Sequence, residues 1–388
     1  MQYRKFGKLD WHASALGFGA MRMPVIDNDP KQLDEAAAIA LIRRAIDGGV
    51  NYVDTAYPYH GGTSEPVVGR ALRDGYRERV KLATKLPCWK VEKAGDFGRY
   101  LDEQLVRLQT SHVDLYLLHA LGEESWHRMR DLGILAQAER ALADGQIRNL
   151  GFSFHDTFDA FQEIVNGYDG WSFCQIQYNY LDVEYQAGTK GLQYAADMGL
   201  AVVVMEPLRG GLLAGNAGFR TGRGVPEPVR ALWDTSPICR TPAEWALQWL
   251  WNQPEVSVVL SGMSNMAQLD ENLASASRSG VGTLSDADLA LVAAVRAEFQ
   301  RLAPIRCTEC KYCQPCPNDV QIPTIFGFYN EAMMFNAVEY ARYAYNNWIA
   351  ADGRAEKCLR CGECEAKCPQ HISIMEWLER AGKFLSAH

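Results

Sequence analysis

The sequence lacks long hydrophobic runs: no apolar stretch approaches the roughly 18 residues of a membrane-spanning helix, and the opening MQYRKFGKLD carries no apolar core of a secretion signal. Positive charge is also in short supply. Acidic side chains outnumber basic ones by 47 to 39, and the net charge of −8 disfavours nucleic acid and anionic lipid as partners. The expected setting is the cytoplasm, with no nucleic acid and no membrane as partner. In a reducing compartment the eleven cysteines are not expected to pair as disulfides, and cysteines that cluster there more often bind metal.

What is present is alternation. The 388 residues leave room for one barrel of about 250 residues and an added module. A short hairpin is expected around Gly7-Lys8. Strands are expected over Ala15–Met21, from Asn51, and over Val80–Thr84, Val113–His119, Ile147–Ser153, Phe173–Gln177, Ala201–Met205 and Val256–Leu260. Helical periodicity fills the intervals at Leu33–Asp47, Ser64–Asp74, Asp96–Gln109, Ser125–Ala143, Phe158–Asn166, Glu184–Met198 and Pro242–Asn252. Eight strand-helix units predict a parallel sheet that closes, an α/β fold of the (β/α)8 type over residues 1–302. A small, mostly helical module is expected over 303–388.

Three successive strands end in titratable residues. Asn51–Tyr59, NYVDTAYPY, delivers Asp54 and Tyr59; VKLATK ends in Lys85; VDLYLLH ends in His119. A tyrosine has a free pKa of about 10, so its use as a proton donor near neutrality needs a cation beside it and an anion to hold that cation. Lys85 and Asp54 are of the right kinds. A lone Asp, Lys or His at a strand end is more often a surface or hydrogen-bonding residue, but three successive strands that each end in one fit the C-terminal rim of a barrel, where such folds gather their chemistry.

Asp54-Thr55-Ala56-Tyr57-Pro58-Tyr59, followed by Glu65-Pro66-Val67-Val68-Gly69-Arg70-Ala71-Leu72, resembles the Asp-Thr-Ala-x-x-Tyr and Glu-x-x-x-Gly-x-x-Leu pattern of the aldo-keto reductases. The resemblance implies Tyr59 as proton donor, Lys85 as the partner lowering its pKa, Asp54 as the anchor of Lys85, and His119 as the residue orienting a substrate carbonyl. It also implies a nicotinamide cofactor, NADPH or NADH. Ser153 and Gln175 would hold the carboxamide. Pro207, Leu208, Arg209 and Gly211 would cover the pyrophosphate. Ser261, Gly262, Met263, Gln268 and Asn272 would take the phosphate and adenine end at a helix N-terminus. Three positions depart from the family pattern: Met205 stands for the stacking aromatic, Phe154 for an Asn, and Gly262 with Gln268 for the basic pair on the 2′-phosphate. NADPH is therefore not expected to bind much more tightly than NADH.

Past residue 303 the composition changes. Cys307-x2-Cys310-x2-Cys313-x2-Cys316-Pro317 is answered by Cys358-x2-Cys361-x2-Cys364-x3-Cys368-Pro369. The second run has the bacterial ferredoxin spacing, and in two-cluster ferredoxins the fourth cysteine of each run ligates the other cluster. Two [4Fe-4S] clusters are expected, one on Cys307, Cys310, Cys313 and Cys368, the other on Cys358, Cys361, Cys364 and Cys316. Four-cysteine zinc sites are the alternative, and this spacing is not theirs. Pro323–Ala350 reads as helical, so the module resembles a helical ferredoxin. Cys88, Cys174 and Cys239 read as small core residues, Trp245, Trp249 and Trp251 as helix packing, and His155 as a loop residue on the active rim.

The leading expectation is an oxidoreductase interconverting a small-molecule carbonyl (aldehyde, ketone or sugar) and its alcohol. An alternative is an electron-transfer oxidoreductase whose barrel holds a flavin or substrate and whose clusters exchange electrons with a ferredoxin or other carrier, since one-electron clusters and two-electron nicotinamide need a converter. A non-catalytic redox sensor is the third reading.

Overall fold

The computed structural model describes residues 1–27, 29, 31–215, 224–307, 312–368 and 370–387. They form two compact units, Met1–Pro207 with Leu247–Leu284, and Leu208–Ala246 with Ser285–His388.

In the first unit, β1 (Tyr3–Lys5) and β2 (His12–Ser14) make the expected N-terminal hairpin. Eight parallel strands then close a barrel: β3 (Leu16–Gly19), β4 (Tyr52–Asp54), β5 (Lys81–Leu86), β6 (Val113–Leu121), β7 (Ile147–Phe154), β8 (Trp171–Gln177), β9 (Ala201–Met205) and β10 (Val256–Ser261), with β10 pairing back onto β3. The alternation of strands and helices closes the barrel as expected, because helices between consecutive parallel strands leave each strand beside its predecessor.

Side chains on a strand alternate faces, and this sorts the barrel interior into levels. Phe6 from the hairpin packs in one apolar cluster with Tyr52, Ala83, Leu115, Leu117, Phe173, Val203, Val258 and Leu260. Two residues further along three of those strands come Asp54, Lys85 and Gln175, all buried polar groups. The hydrophobic plug thus forms the floor of a polar layer.

Two expected helices are divided. Ser125–Ala143 is Glu123–Asp131 and Ile134–Ala143, broken at Gly133, whose φ of 69° is left-handed and cheap for glycine. Pro323–Ala350 is Ile322–Phe335 and Val338–Trp348, with Asn336 at φ 52° between them. Helices Glu227–Trp233 and Asp286–Leu302 were not anticipated; the latter opens on a Ser285 capping box.

The second unit has its own core, in which Ile305, Val320, Ile322, Ile325, Phe326, Tyr345, Ile374, Leu378 and Leu385 are buried together. Cys88 and Cys174 are buried as expected, and burial pushes the Cys88 thiol up to about 12. Cys239 is exposed instead, because its segment is loop between Glu227–Trp233 and Pro242–Trp251. Trp251 is buried and donates its indole N–H to the Ala15 carbonyl at 2.8 Å, as a packing residue would. Among the described residues no helix is long and apolar enough to cross a membrane.

Candidate active site at the barrel mouth

The polar layer is built around a fully enclosed lysine. Lys85 Nζ donates to Asp54 Oδ1 at 2.6 Å and to the Thr55 carbonyl at 2.9 Å, and stands 3.5 Å from the Tyr59 hydroxyl. Asp54 is the last residue of β4, so its side chain follows Tyr52 on the inward face, and the loop beyond returns Tyr59 over it. The other carboxylate oxygen, Asp54 Oδ2, accepts from Gln175 Nε2 at 3.2 Å. A buried ion pair needs such secondary hydrogen bonds to offset desolvation. The Gln175 contact was not foreseen; the inward register it shares with Asp54 and Lys85 was the available signal.

His119, on β6, meets Tyr59 edge to face at 6.0 Å between ring centres and carries Trp89 at 5.1 Å. Its Nδ1 is enclosed and has no hydrogen-bond partner among the described residues.

Electrostatics follow from burial. Desolvation opposes the charged Lys85, yet the attraction of Asp54 and then Tyr59 outweighs it and holds the ammonium pKa above its ordinary value. Burial pushes the Asp54 carboxyl up, and Lys85 and Gln175 pull it part of the way back. Burial likewise lifts the Tyr59 phenol; the Lys85 charge and hydrogen bond oppose it, while Asp54 and Glu206 add to the rise. The net direction for Tyr59 is upward, so the lowering by Lys85 is partial. His119 is driven well below its ordinary value by burial and by Lys85, and is neutral at pH 7.

The expected cofactor residues are spread over both units. Ser153 Oγ accepts from the Ala120 N–H at 2.8 Å. Gln175 Nε2 donates to Asp54, as described above. Ser261 Oγ accepts from Asn272 Nδ2 at 3.0 Å, Met263 is buried, and Gly262 is exposed. The turn before helix Met266–Ser277 is held by Asn265 Oδ1 on the Gln268 N–H at 3.0 Å and by Gln268 Oε1 accepting from Ser264 N at 2.9 Å and Ser264 Oγ at 3.1 Å. Asn265 thus caps the helix beside the exposed Gly262, and N–H groups at a helix N-terminus attract anions. Pro207 is buried at the end of this unit. Leu208, Arg209 and Gly211 belong to the other unit, where Arg209 (φ 48°) and Gly211 (φ 97°) take left-handed backbone. His155 is exposed, with its N–H donating to the Leu121 carbonyl at 3.1 Å.

In the second unit, Cys364 belongs to the apolar core and Cys307, Cys313, Cys316, Cys358 and Cys368 pack against it, while Cys361 is exposed. Cys310 lies outside the described residues. Among the described residues no three metal-ligating side chains are gathered at metal-binding distance. Thiols facing one apolar core suit iron-sulfur ligation by donor type.

The aldo/keto reductase family model matches residues 15–296, and a 4Fe-4S dicluster domain model matches residues 306–372. A relative named NADH-specific methylglyoxal reductase from Escherichia coli is 26% identical over 76% of this chain and 98% of its own. An L-galactose dehydrogenase from Arabidopsis thaliana is 27% identical over 71% of this chain and 88% of its own. Among solved structures, an aldo-keto reductase from Bacillus halodurans in its holo form superposes with a TM-score of 0.62 at 26% identity, covering 76% of this chain and 96% of that one. One from Klebsiella pneumoniae in complex with NADPH gives 0.59 at 26% identity over the same shares.

Proposed function

Because the chain belongs to the aldo/keto reductase family, we propose that it reduces a small aldehyde or ketone, or oxidises the matching alcohol, at the mouth of its barrel with NADH or NADPH. The observation that carries this reading is the Lys85 ammonium lying between the Asp54 carboxylate at 2.6 Å and the Tyr59 hydroxyl at 3.5 Å.

When bound, a nicotinamide supplies the hydride taken up by the carbonyl carbon; Ser153, Gln175, Pro207, Leu208, Arg209, Gly211, Ser261, Gly262, Met263, Gln268 and Asn272 are the residues assigned to hold it. Tyr59 gives its phenolic proton to the carbonyl oxygen. Lys85 stabilises the tyrosinate left behind, with Asp54 and Gln175 keeping the ammonium in place. His119, neutral and with Nδ1 enclosed, presents Nε2 to the same oxygen and fixes its direction. The NADH-specific relative and the NADPH-bound structure support a nicotinamide, and Gly262 with Gln268 in place of a basic pair supports weak discrimination between the two.

Residues 303–388 are proposed to carry two [4Fe-4S] clusters on the cysteine sets assigned above, with residues 1–302 as the reductase part. A second reading is favoured by one observation: Cys361 is exposed and its neighbour Leu359 is 72% exposed, which suits a cluster that exchanges electrons with a ferredoxin or similar carrier. In that reading a flavin or other converter links the two chemistries. The complete Asp54, Tyr59, Lys85 and His119 set speaks against a non-catalytic sensor.

The test is NADH- and NADPH-dependent reduction of methylglyoxal and a panel of small aldehydes by the unaltered protein and by Tyr59→Phe. Loss of turnover with cofactor affinity kept is expected for a group acting in the transition state. Retained turnover in Tyr59→Phe would remove the role assigned to Tyr59.

A further inference from the structure

Behind the polar layer lies a second buried carboxylate that the reaction does not use. Glu65 is 0% exposed, at the start of helix Ser64–Ala71. A carboxylate with no access to water is costly unless donors surround it. Glu65 Oε1 accepts from Thr84 Oγ1 at 2.7 Å and Gln104 Nε2 at 2.6 Å, and Oε2 from Arg107 NH1 at 3.3 Å.

These donors lead to the two reacting segments. Gln104 Nε2 also reaches the Lys85 carbonyl at 3.0 Å, and Gln104 Oε1 is fixed by the Tyr116 hydroxyl at 2.7 Å. One end of the network is therefore tied to the backbone of Lys85. Arg107 forms the other end. Its guanidinium lies 4.2 Å from the Tyr57 ring centre and pairs with Glu103, whose carboxylate oxygens each accept from the Tyr57 hydroxyl at 3.2 Å. Tyr100 closes the Tyr57 ring edge to face at 5.2 Å. Tyr57 sits two residues before Tyr59 in the same loop.

We propose that Arg107, through Glu65 and Tyr57, is a positioning residue that sets the separation of the Tyr59 hydroxyl from Lys85. Arg107 grips the tyrosine loop by the Tyr57 ring and is anchored by Glu65 to the strand that carries Lys85. Arginine suits the task because its planar fork engages two carboxylates while its face stacks on an aromatic ring. A lysine would keep the charge at Glu65 and lose the stacking. The inference rests on Tyr59 acting as proton donor.

The experiment measures kcat and KM for NADH-dependent methylglyoxal reduction, with thermal unfolding as a check on folding, in Arg107→Met, Arg107→Lys, Tyr57→Ala, Tyr59→Phe and the double variant Arg107→Met/Tyr59→Phe. Displacement of a reacting group by about 1 Å costs on the order of 10²-fold, so Arg107→Met is expected to lose kcat on that order with the KM for NADH unchanged. Arg107→Lys should recover part of the loss, and Tyr57→Ala, which leaves the Glu65 pair intact, should reproduce it. In the Tyr59→Phe background, Arg107→Met should change the residual rate by no more than about twofold, since the positioned group is gone. The proposal is overturned if Arg107→Met and Tyr57→Ala keep full kcat, or if Arg107→Met costs as much in the Tyr59→Phe background as alone, which marks a general structural role. Unaltered turnover in Tyr59→Phe instead overturns the proton-donor reading, and the positioning role with it.

Discussion

The barrel mouth and the cysteine unit place their polar and thiol side chains differently. At the mouth the reacting side chains are already in mutual contact, because strand register and the inward alternation of β4, β5 and β8 place Asp54, Lys85 and Gln175 in one layer. In the cysteine unit Cys364 belongs to an apolar core and Cys307, Cys313, Cys316, Cys358 and Cys368 pack against it. Contacts within the chain suffice to build the first site. For the second we propose that cluster binding draws the thiols together, since ligand convergence and local folding are linked in metal sites.

The comparison breaks most readily at Lys85. Lys85→Met leaves Asp54 as a buried carboxylate without its cation and Tyr59 without the group that opposes its upward shift. Turnover should fall by roughly 10³-fold, within the 10²–10⁴ span of a positioned acid-base group, and a rate within a factor of ten of the unaltered protein would show that the layer is not the catalyst. Cys361→Ser comes next. It should lower bound iron and the unfolding temperature of the cysteine unit while the barrel transition stays in place; iron content indifferent to the change would contradict the ligand assignment.

A smaller effect is expected from Gln175→Leu, which removes the second hydrogen bond to Asp54. A hydrogen bond to a charged group is worth about 1.5–3 kcal/mol, so kcat should drop by roughly tenfold or more. An unchanged kcat would reduce Gln175 to a packing residue. Stability against pH sharpens the same picture. The folded pKa of His119 lies well below its ordinary 6.5. Its contribution is therefore present above that value and is lost as pH falls from there toward the folded pKa, because the unfolded chain takes up the proton first. Chemical denaturation of the barrel between pH 7 and 5 should show this slope, and His119→Phe should flatten it. The least effect concerns cofactor choice, where NADPH should be favoured over NADH by less than about a hundredfold in affinity, some 2.7 kcal/mol. A larger preference would assign the 2′-phosphate to a cation that Gly262 and Gln268 do not provide.

The same contrast explains what could be read from the sequence. The order of strands and the closure of the barrel were legible because period-2 patterning and helical spacing alternate along the chain, and the convergence of Asp54, Lys85 and Tyr59 was legible through the resemblance to the Asp-Thr-Ala-x-x-Tyr motif. Helix Ser125–Ala143 was read through Gly133 because its apolar spacing continues across the break. Helix Asp286–Leu302 does carry a local signal, the Ser285 capping box ahead of apolar residues at helical spacing, whereas the exposed position of Cys239 depends on tertiary context. The Gln175 contact with Asp54 at 3.2 Å joins residues 121 positions apart. The Glu65, Gln104 and Arg107 network went unseen for a related reason, since its contacts join helix and strand residues 19 to 42 positions apart.

The most direct test of the account compares the iron-loaded and iron-stripped protein, each with and without the Tyr59→Phe substitution, for anaerobic NADH-dependent methylglyoxal reduction per folded barrel. The account predicts that stripping iron leaves the rate in place and that Tyr59→Phe lowers it to the same small residual rate in both forms. A rate that vanishes with the iron and survives the loss of the tyrosine hydroxyl would contradict it, and would move the chemistry from the barrel mouth to the cysteine unit.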